Sequence, residues 1–326
     1  VVWQYLDEIR VVRQNGDTDV SIYIDDIDIG PAVSPDSIPP TITSVNSSTA
    51  NGTYKVGDVI SIQVNFDENV VVNTGGGTPQ LTLETGSVDR TANYSSGTGT
   101  STLNFTYTVQ AGDTSADLDY VATTSLTLNG GTIMDAASNN ATLTLASPGA
   151  ANSLGANKAL VIDGVVPTVT SVNSSTANGT YKVGDLVSIQ VSFSETVTVN
   201  TGGGTPQLTL ETGTTDRIAS YTSGSGSSQL TFSYTVQAGD TSADLDYVAT
   251  NSLAFNGGTI SDAAANNANL TLASPGAANS LGANKAIVVD GVVPTVSSVN
   301  SGTANGIYKA GDSIGILINF SEAVSV

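Results

Sequence analysis

The chain of 326 residues contains no cysteine and no histidine. Without cysteine it has no disulfide scaffold. Without either residue it cannot build a Ser-His-Asp or Cys-His catalytic arrangement. A bound metal ion would have to be held by oxygen ligands, which suits Ca²⁺ and largely excludes Zn²⁺ and iron. These absences argue against a nucleophilic hydrolase and against a transition-metal protein.

Positive charge and long apolar runs are also scarce. The chain has 9 Lys and Arg residues against 29 Asp and Glu residues, a formal net charge of −20. Binding a nucleic-acid backbone needs clustered Lys and Arg, so we predict no nucleic-acid partner. No run of about 20 apolar residues occurs, so we predict no membrane span in this segment. The bland interpretation of the acidic residues is that they keep a Thr/Ser/Gly-rich surface soluble.

What the sequence does contain is a repeat. TSVNSSTANGTYKVGD occurs at 43–58 and again at 170–185, and a shorter echo, SSVNSGTANGIYKAGD, follows at 297–312. Aligned without a gap at an offset of 127 residues, the two full copies are identical at about four-fifths of their positions. An enzyme needs one active site, whereas a tandem array needs one module several times. The repeat therefore predicts a structural or adhesive role, and we expect no enzymatic activity.

The repeat also predicts the domain boundaries. Each full copy is long enough to bury a core of its own, whereas the third copy and the head are not. We therefore expect the chain to be a segment of a longer polypeptide. An Asn-Gly turn between alternating strands predicts that the head closes an upstream domain, which we expect to be jelly-roll-like. The predicted segments are the head (1–33), a Pro linker (34–40), module 1 (41–164), module 2 (165–291) and an incomplete third copy, the partial unit (292–326).

Strand patterns fill the modules. Apolar residues alternate with Thr, Ser or Gln in VISIQVNF (59–66), STLNFTYTV (101–109) and ATLTLA (141–146), as in strands with one buried face. Turn-forming clusters separate them, and no stretch predicts a helix. Seven or more short strands in a module of this size predict an all-β fold of tandem immunoglobulin-like β-sandwiches. Pro167 and Pro294 stiffen the short joints, so we expect an extended array.

Longer motifs carry a family resemblance. GTYKVGD, TPQLTLETG, LTFSYTVQAGDTSADLDY and LGANKA closely resemble the repeat of cyanobacterial cell-surface proteins required for swimming motility, over residues 41–326. FSExV, DAAxN and a D-x-x-x-P joint are also similar to Ig-like modules of large biofilm and calcium-dependent bacterial adhesins. The resemblance implies a bacterial extracellular or cell-surface location and Ca²⁺ at the joints. The loops DAASNN (135–140) and DAAANN (262–267) depart from that pattern because they lack its usual Gly.

Three sets of acidic residues recur at the 127-residue offset. An Asp-x-Asp loop can present carboxylates to a hard cation, or can cap backbone amides in Asx-turns. Carboxylates at a module end, meeting an Asp of the joint, could hold Ca²⁺ and stiffen the array. For the third set, Glu68 and Glu195, we favour a solvated strand end. The first set comprises Asp113, Asp117, Asp119, Asp240, Asp244 and Asp246, and the second comprises Asp135, Asn139, Asp163, Asp262, Asn266 and Asp290.

Two arginines recur as well, each directly after an Asp. Adjacent residues of a strand face opposite ways, so Arg90 is expected to pair with Glu84 and Arg217 with Glu211. A surface pair of this kind contributes about 0–1 kcal/mol.

The leading functional hypothesis is a stalk or spacer within a large secreted or surface-anchored bacterial protein, whose immediate partners are neighbouring repeats of the same chain. One alternative makes the modules multivalent binders of surface or matrix polysaccharide, or accessory domains of a secreted enzyme. Another alternative is self-association into an extracellular filament by strand exchange. These alternatives stay open at the level of the sequence.

Overall fold

The computed structural model describes residues 36–325, and the predicted closing hairpin of the head lies outside them. Residues from Pro39 onward form one compact unit. This unit is all-β and contains two similar repeated units, which correspond to modules 1 and 2. The predicted all-β fold with tandem repeated modules is thus confirmed at this level.

Module 1 contains a large antiparallel sheet and a small mixed one. Its elements are β1 (Ile42–Ser47), β2 (Gly52–Tyr54), β3 (Val59–Asn73), β4 (Gln80–Leu83), β5 (Arg90–Ser96), β6 (Thr100–Thr108), β7 (Thr114–Ser115), β8 (Leu126–Thr127), β9 (Thr132–Met134), α1 (Leu154–Asn157) and β10 (Leu160–Asp163). The seven-stranded sheet has the order β1-β3-β6-β5-β4-β8, with β9 paired to β3. In the small sheet, β10 lies parallel to β2 and antiparallel to β7.

The length of β3 curls the large sheet. The first half of β3 lies between β1 and β6, and its last residues pair with β9 instead. The register to β6 shifts between Asn65 and Val70, a bulge-like irregularity that bends a strand and increases its twist. The result is a curled, half-barrel sheet rather than a flat one.

The core follows from the period-two pattern. Ile60, Ile62, Val64 and Phe66 of β3 point inward, and none is more than 4% exposed. Phe105 of β6 is fully buried and meets the ring of Tyr94 edge-to-face at 5.9 Å between ring centres. Such pairs add to the burial of apolar area, which is the main stabilising contribution.

Module 2 repeats this arrangement with the same sheet order and the same pairings. Its elements are β11 (Val169–Ser174), β12 (Gly179–Lys182), β13 (Leu186–Asn200), β14 (Gln207–Leu210), β15 (Arg217–Ser223), β16 (Ser227–Thr235), β17 (Thr241–Ser242), β18 (Leu253–Ala254), β19 (Thr259–Ser261), α2 (Leu281–Asn284) and β20 (Ile287–Asp290).

The partial unit contains only two described strands, β21 (Val296–Ser301) and β22 (Ile316–Phe320). They pair as β11 pairs with β13, since Val296 opposite Phe320 repeats Val169 opposite Phe193. Ile316 and Ile318 are 66% and 53% exposed, whereas their counterparts in module 2, Ile189 and Val191, are fully buried. The pairing is therefore kept although the apolar face is open.

Local structure departs from the sequence expectations in two places. ATLTLA (141–146) contributes an isolated bridge at Thr142 instead of a strand. A single helical turn, α1, forms because Ser153 caps the Ala156 amide and Leu154 is buried. Among the described residues, no helix is long and apolar enough to cross a membrane.

Replacing a core aromatic should affect one module. Phe232 is fully buried in module 2, so Phe232→Ala is expected to destabilise that module by about 3–5 kcal/mol. Scanning calorimetry should show one transition moving down while the other stays. Phe320→Ala is the control, because Phe320 is 39% exposed and its loss should cost less than about 0.5 kcal/mol. An equal fall of both transition temperatures would contradict the view that the two modules have independent cores.

Candidate functional site

The joint between modules 1 and 2 is anchored on both sides. On the module 1 side, the Gly164 amide donates to the Asp113 carbonyl at 2.7 Å and the Gly164 carbonyl accepts from the Gly112 amide at 2.8 Å. On the module 2 side, the Pro167 carbonyl accepts from the Asn269 amide at 2.8 Å. Only Val165 and Val166 lie between these anchors, so the joint leaves little freedom for bending.

Asn266 of module 2 ties the two modules together. Its Oδ1 accepts the Val56 amide of module 1 at 3.0 Å. Its Nδ2 donates to the carbonyl of Asp163, the last residue of β10, at 2.8 Å. Asn266 is only 4% exposed, so these bonds form away from water, where an unmade bond is costly. One side chain thus binds a turn and a strand end of the preceding module.

The loop 262–267 holds Asn266 in place. The Asp262 carboxylate accepts the Asn266 backbone amide and the Asn266 Nδ2, each at 2.8 Å. Ala265 adopts φ = 67°, a left-handed conformation that is costly for a residue with a Cβ. The loop thus forms without the Gly of the related motif, and it stores strain at Ala265 while it presents Asn266.

One carboxylate oxygen at the joint is buried without a hydrogen-bond partner. Glu195 Oε1 is out of contact with water and has no hydrogen-bond partner among the described residues. Burial raises the pKa of Glu195, and the charges of Asp262 and Asp163 raise it further. Two further carboxylates thus lie near enough to act on the charge of Glu195, and none of the three forms an ion pair within residues 36–325, a local repulsion that a bound cation would relieve.

Module 1 carries the matching residues. Carboxylate oxygens of Glu68 and Asp135 lie within 4.8 Å of each other, close enough to bind one metal ion together. The Asp135 carboxylate also accepts the Asn139 backbone amide at 2.8 Å and the Asn139 Nδ2 at 2.7 Å. Burial would raise the pKa of Asp135, but these hydrogen bonds outweigh it and lower the pKa. In the sequence, Asp36 stands at the position of Asp163.

The first predicted set is divided by the fold. Asp113 is 1% exposed and fully engaged: Oδ1 accepts Arg90 Nε at 2.7 Å, and Oδ2 accepts the Tyr107 hydroxyl at 2.6 Å and the Gln110 amide at 2.9 Å. The predicted pairing of Arg90 with Glu84 is therefore wrong, because the guanidinium reaches a buried carboxylate instead.

Module 2 repeats this network, with Arg217 bound to Asp240 at 2.8 Å rather than to Glu211. Burial would raise the pKa of Asp240, but hydrogen bonds from Tyr234 and Arg217 lower it. The remaining members of the set lie elsewhere. Asp117 and Asp244 are exposed, and Asp119 and Asp246 accept the amides of Gly149 and Gly276, each at 2.9 Å.

These positions separate the predicted ligands by environment. Carboxylate oxygens of Asp113, Asp117 and Asp119 do not converge within 4.8 Å in the described structure. The joint set is brought together between modules 1 and 2, at Asp163, Asp262 and Asn266. Asp290 is exposed and accepts the Val292 amide at 3.3 Å. The carboxylates of Asp163, Asp262 and Glu195 act on one another electrostatically at the joint, whereas the close approach within 4.8 Å is that of Glu68 and Asp135 in module 1.

Sequence reasoning missed two participants. Glu195 is predicted above as a solvated strand end, although it recurs 127 residues after Glu68, as Asp163 does after Asp36, and this recurrence is the available signal. The Val56 amide gives no sequence signal, because every residue except proline carries a backbone N–H and only the fold shows which one meets a partner. Comparisons of the chain with models of known protein families and with curated protein sequences give no match.

Relieving the strain at Ala265 should stabilise module 2. Ala265→Gly is expected to raise its free energy of unfolding by about 0.5–1 kcal/mol, because Gly adopts positive φ without a Cβ clash. Ala264→Gly is the matched control: the neighbouring Ala has no positive φ, so added flexibility should destabilise by a similar amount. Denaturant unfolding of both variants tests the sign, and two changes of the same sign would refute the strain.

Proposed function

We propose that the chain is a spacer: a tandem array of Ig-like β-modules that sets distance and stiffness within a large secreted or surface-anchored bacterial protein. The observation that carries the proposal is the bridge from Asn266 to Val56 and Asp163 across the joint. Binding domains on a flexible tether move independently and do not need such a bridge. A spacer does need it, because contacts between neighbours turn separate modules into a stiff array.

The short joint supports the same role. The anchors at Gly164 and Pro167 leave two residues between modules, where a Gly/Ser linker would allow free rotation. Gly164 itself has no room for a side chain, because a Cβ would lie 2.3 Å from the Gln110 carbonyl oxygen. The last strand therefore ends tightly packed, and the next module starts at a fixed place.

Calcium at the joint is the second part of the proposal. Glu195 supplies a buried oxygen without a partner; burial raises its pKa, and the charges of Asp262 and Asp163 raise it further. Ca²⁺ prefers such oxygen ligands and completes a set of six to eight with water and carbonyl groups. The Asn266 side chain keeps its structural hydrogen bonds. A cation bound here would neutralise a repulsion that spans both modules and would strengthen their contact.

The polysaccharide-binding alternative gains less support. Carbohydrate sites usually present exposed aromatic rings, and the aromatic side chains of modules 1 and 2 are buried or half-buried. The larger exposed apolar side chains of the two modules are aliphatic and scattered, such as Val71, Val88 and Ile218. Scattered single residues of this kind are ordinary surface.

Removing the bridge should loosen the array without unfolding it. In Asn266→Ala, hydrogen exchange at the Val56 amide is expected to speed up about tenfold, since a hydrogen bond of about 0.5–1.5 kcal/mol is lost. Small-angle scattering should show a broader range of maximum dimensions. Asn267→Ala is the control, because Asn267 is exposed and, unlike Asn266, lacks a side-chain hydrogen bond to module 1 in the described structure. Unchanged exchange and scattering in Asn266→Ala would refute the spacer mechanism.

Replacing Glu195 by Gln should have opposite effects on the melting temperature with and without calcium. The pKa of Glu195 is raised in the folded state, so its contribution to stability is lost as the pH rises through that pKa. In EGTA at pH 7, Glu195→Gln should therefore melt above the wild type. In millimolar Ca²⁺ the order should reverse, because binding at 100 times Kd adds about 2.7 kcal/mol to the wild type alone.

The control for this comparison is Glu211→Gln. Glu211 is exposed and only accepts the Gly213 amide, so its melting temperature should follow the wild type in both buffers. Calorimetry across a pH series in EGTA and in Ca²⁺ gives the readout. If the order of Glu195→Gln and wild type is the same in both buffers, calcium does not bind at this joint.

A further inference from the structure

Modules 1 and 2 carry the same turn, TYKVGD, at 53–58 and 180–185, in different surroundings. In module 1 the Val56 amide donates to Asn266. In module 2 the Val183 amide has no acceptor among the described residues, and Val183 is 41% exposed. The side chain of Lys182 is 82% exposed, whereas that of Lys55 is 41% exposed. Identical sequences thus differ in exposure, and the loop 262–267 reaches one of them.

A cavity lies at the uncovered turn. It measures about 330 Å³ and is lined in part by Lys182, Asp185, Asp290 and Glu322. These four residues stand 127 positions after Lys55, Asp58, Asp163 and Glu195.

At the first joint, the corresponding place is filled. Asn266 bonds there to Val56 and Asp163, and Asp262 lies close enough to raise the pKa of Glu195. At the second joint, Glu322 Oε1 is buried and has no partner among the described residues, as Glu195 Oε1 is at the first. The cavity therefore presents the residues that correspond to those around Asn266 at the first joint, and we call it the seat.

We propose that this cavity is a docking site for the Asp-Ala-Ala-x-x-Asn loop of a further copy of the repeat. The Asn amide oxygen accepts the Val183 N–H, and the amide nitrogen donates to the Asp290 carbonyl, as Asn266 does at Val56 and Asp163. The inference deepens the proposed spacer function and rests on it. Under this proposal each module offers one docking loop and one seat, so the contact between modules has a direction along the chain.

The identity of the occupant follows from continuity with the first interface. The turn is the same in sequence, and its two ends are fixed in the same way: the Lys182 amide binds Asp185 Oδ2 at 2.9 Å, as the Lys55 amide binds Asp58 Oδ2 at 3.0 Å. The seat is thus formed before any loop arrives. A preorganised binding site loses little conformational entropy when its partner binds, and it selects that partner by geometry.

The test extends the full chain with a copy of residues 200–291 joined after Val326, which completes the partial unit in register because Val326 aligns with Val199. Hydrogen exchange is followed at the Val56 and Val183 amides by ¹⁵N NMR. In the unextended chain, Val56 should be protected and Val183 should exchange freely. In the extended chain, Val183 should become at least about tenfold slower, and changing the copy of Asn266 to Ala should abolish that gain.

The outcomes separate the two proposals. Lack of protection at Val56 in the unextended chain would refute the bridge on which the spacer proposal rests. Protection at Val56 with free exchange at Val183 in the extended chain would overturn the docking site alone. Val183 protection that grows with concentration in the unextended chain would assign the seat to a loop of a second chain, and would overturn the in-chain occupant.

Discussion

The arrangement of the described chain depends on how one buried amide, that of Asn266, is satisfied. Its oxygen and nitrogen bind Val56, Asp163 and Asp262, so no polar atom of the side chain is left without a partner. A buried amide that lost these partners would carry a cost of about 1–3 kcal/mol. The bonds to Val56 and Asp163 cross between the modules, so they hold the loop of module 2 against module 1. The positive φ of Ala265 belongs to the loop itself, since the equivalent Ser138 of module 1 has φ = 74°.

Electrostatics at the joint oppose this contact. Burial raises the pKa of Glu195, and the charges of Asp262 in the same module and Asp163 in the preceding one raise it further. A protein selected for stability alone would separate or neutralise such groups, as this chain does at Asp113, where Arg90 and Tyr107 satisfy the carboxylate. Residues that break local rules without compensation tend to mark functional sites. The contrast between the two carboxylate clusters therefore supports the proposed cation binding at the joint over one at Asp113.

The sequence predicted what depends on local pattern. Alternation along β3 and β6 gave the strands and the buried face, and the 127-residue offset gave two like modules. It could not predict contacts that join distant residues. Arg90 reaches Asp113 rather than Glu84 because the sheet brings β5 beside the loop after β6, and no spacing rule encodes that approach. Glu195 looked like a solvated strand end because its surroundings come from a loop 67 residues later and from the preceding module.

Directionality sets the joint apart from a symmetric interface. Module 2 gives a loop and module 1 gives a turn, so the contact is heterologous and does not close on itself. An interface of this type adds modules in one direction, with stability that is a sum over neighbours. The joints also vary in detail: the Thr41 amide and hydroxyl bind Asp67, whereas the Thr168 amide binds the Ser194 hydroxyl. The change from Asp67 to Ser194 at one repeat position alters the charge beside the joint. The bridge through Asn266, by contrast, is built from residues that both modules contain. Stiffness and charge can therefore be adjusted separately along such an array.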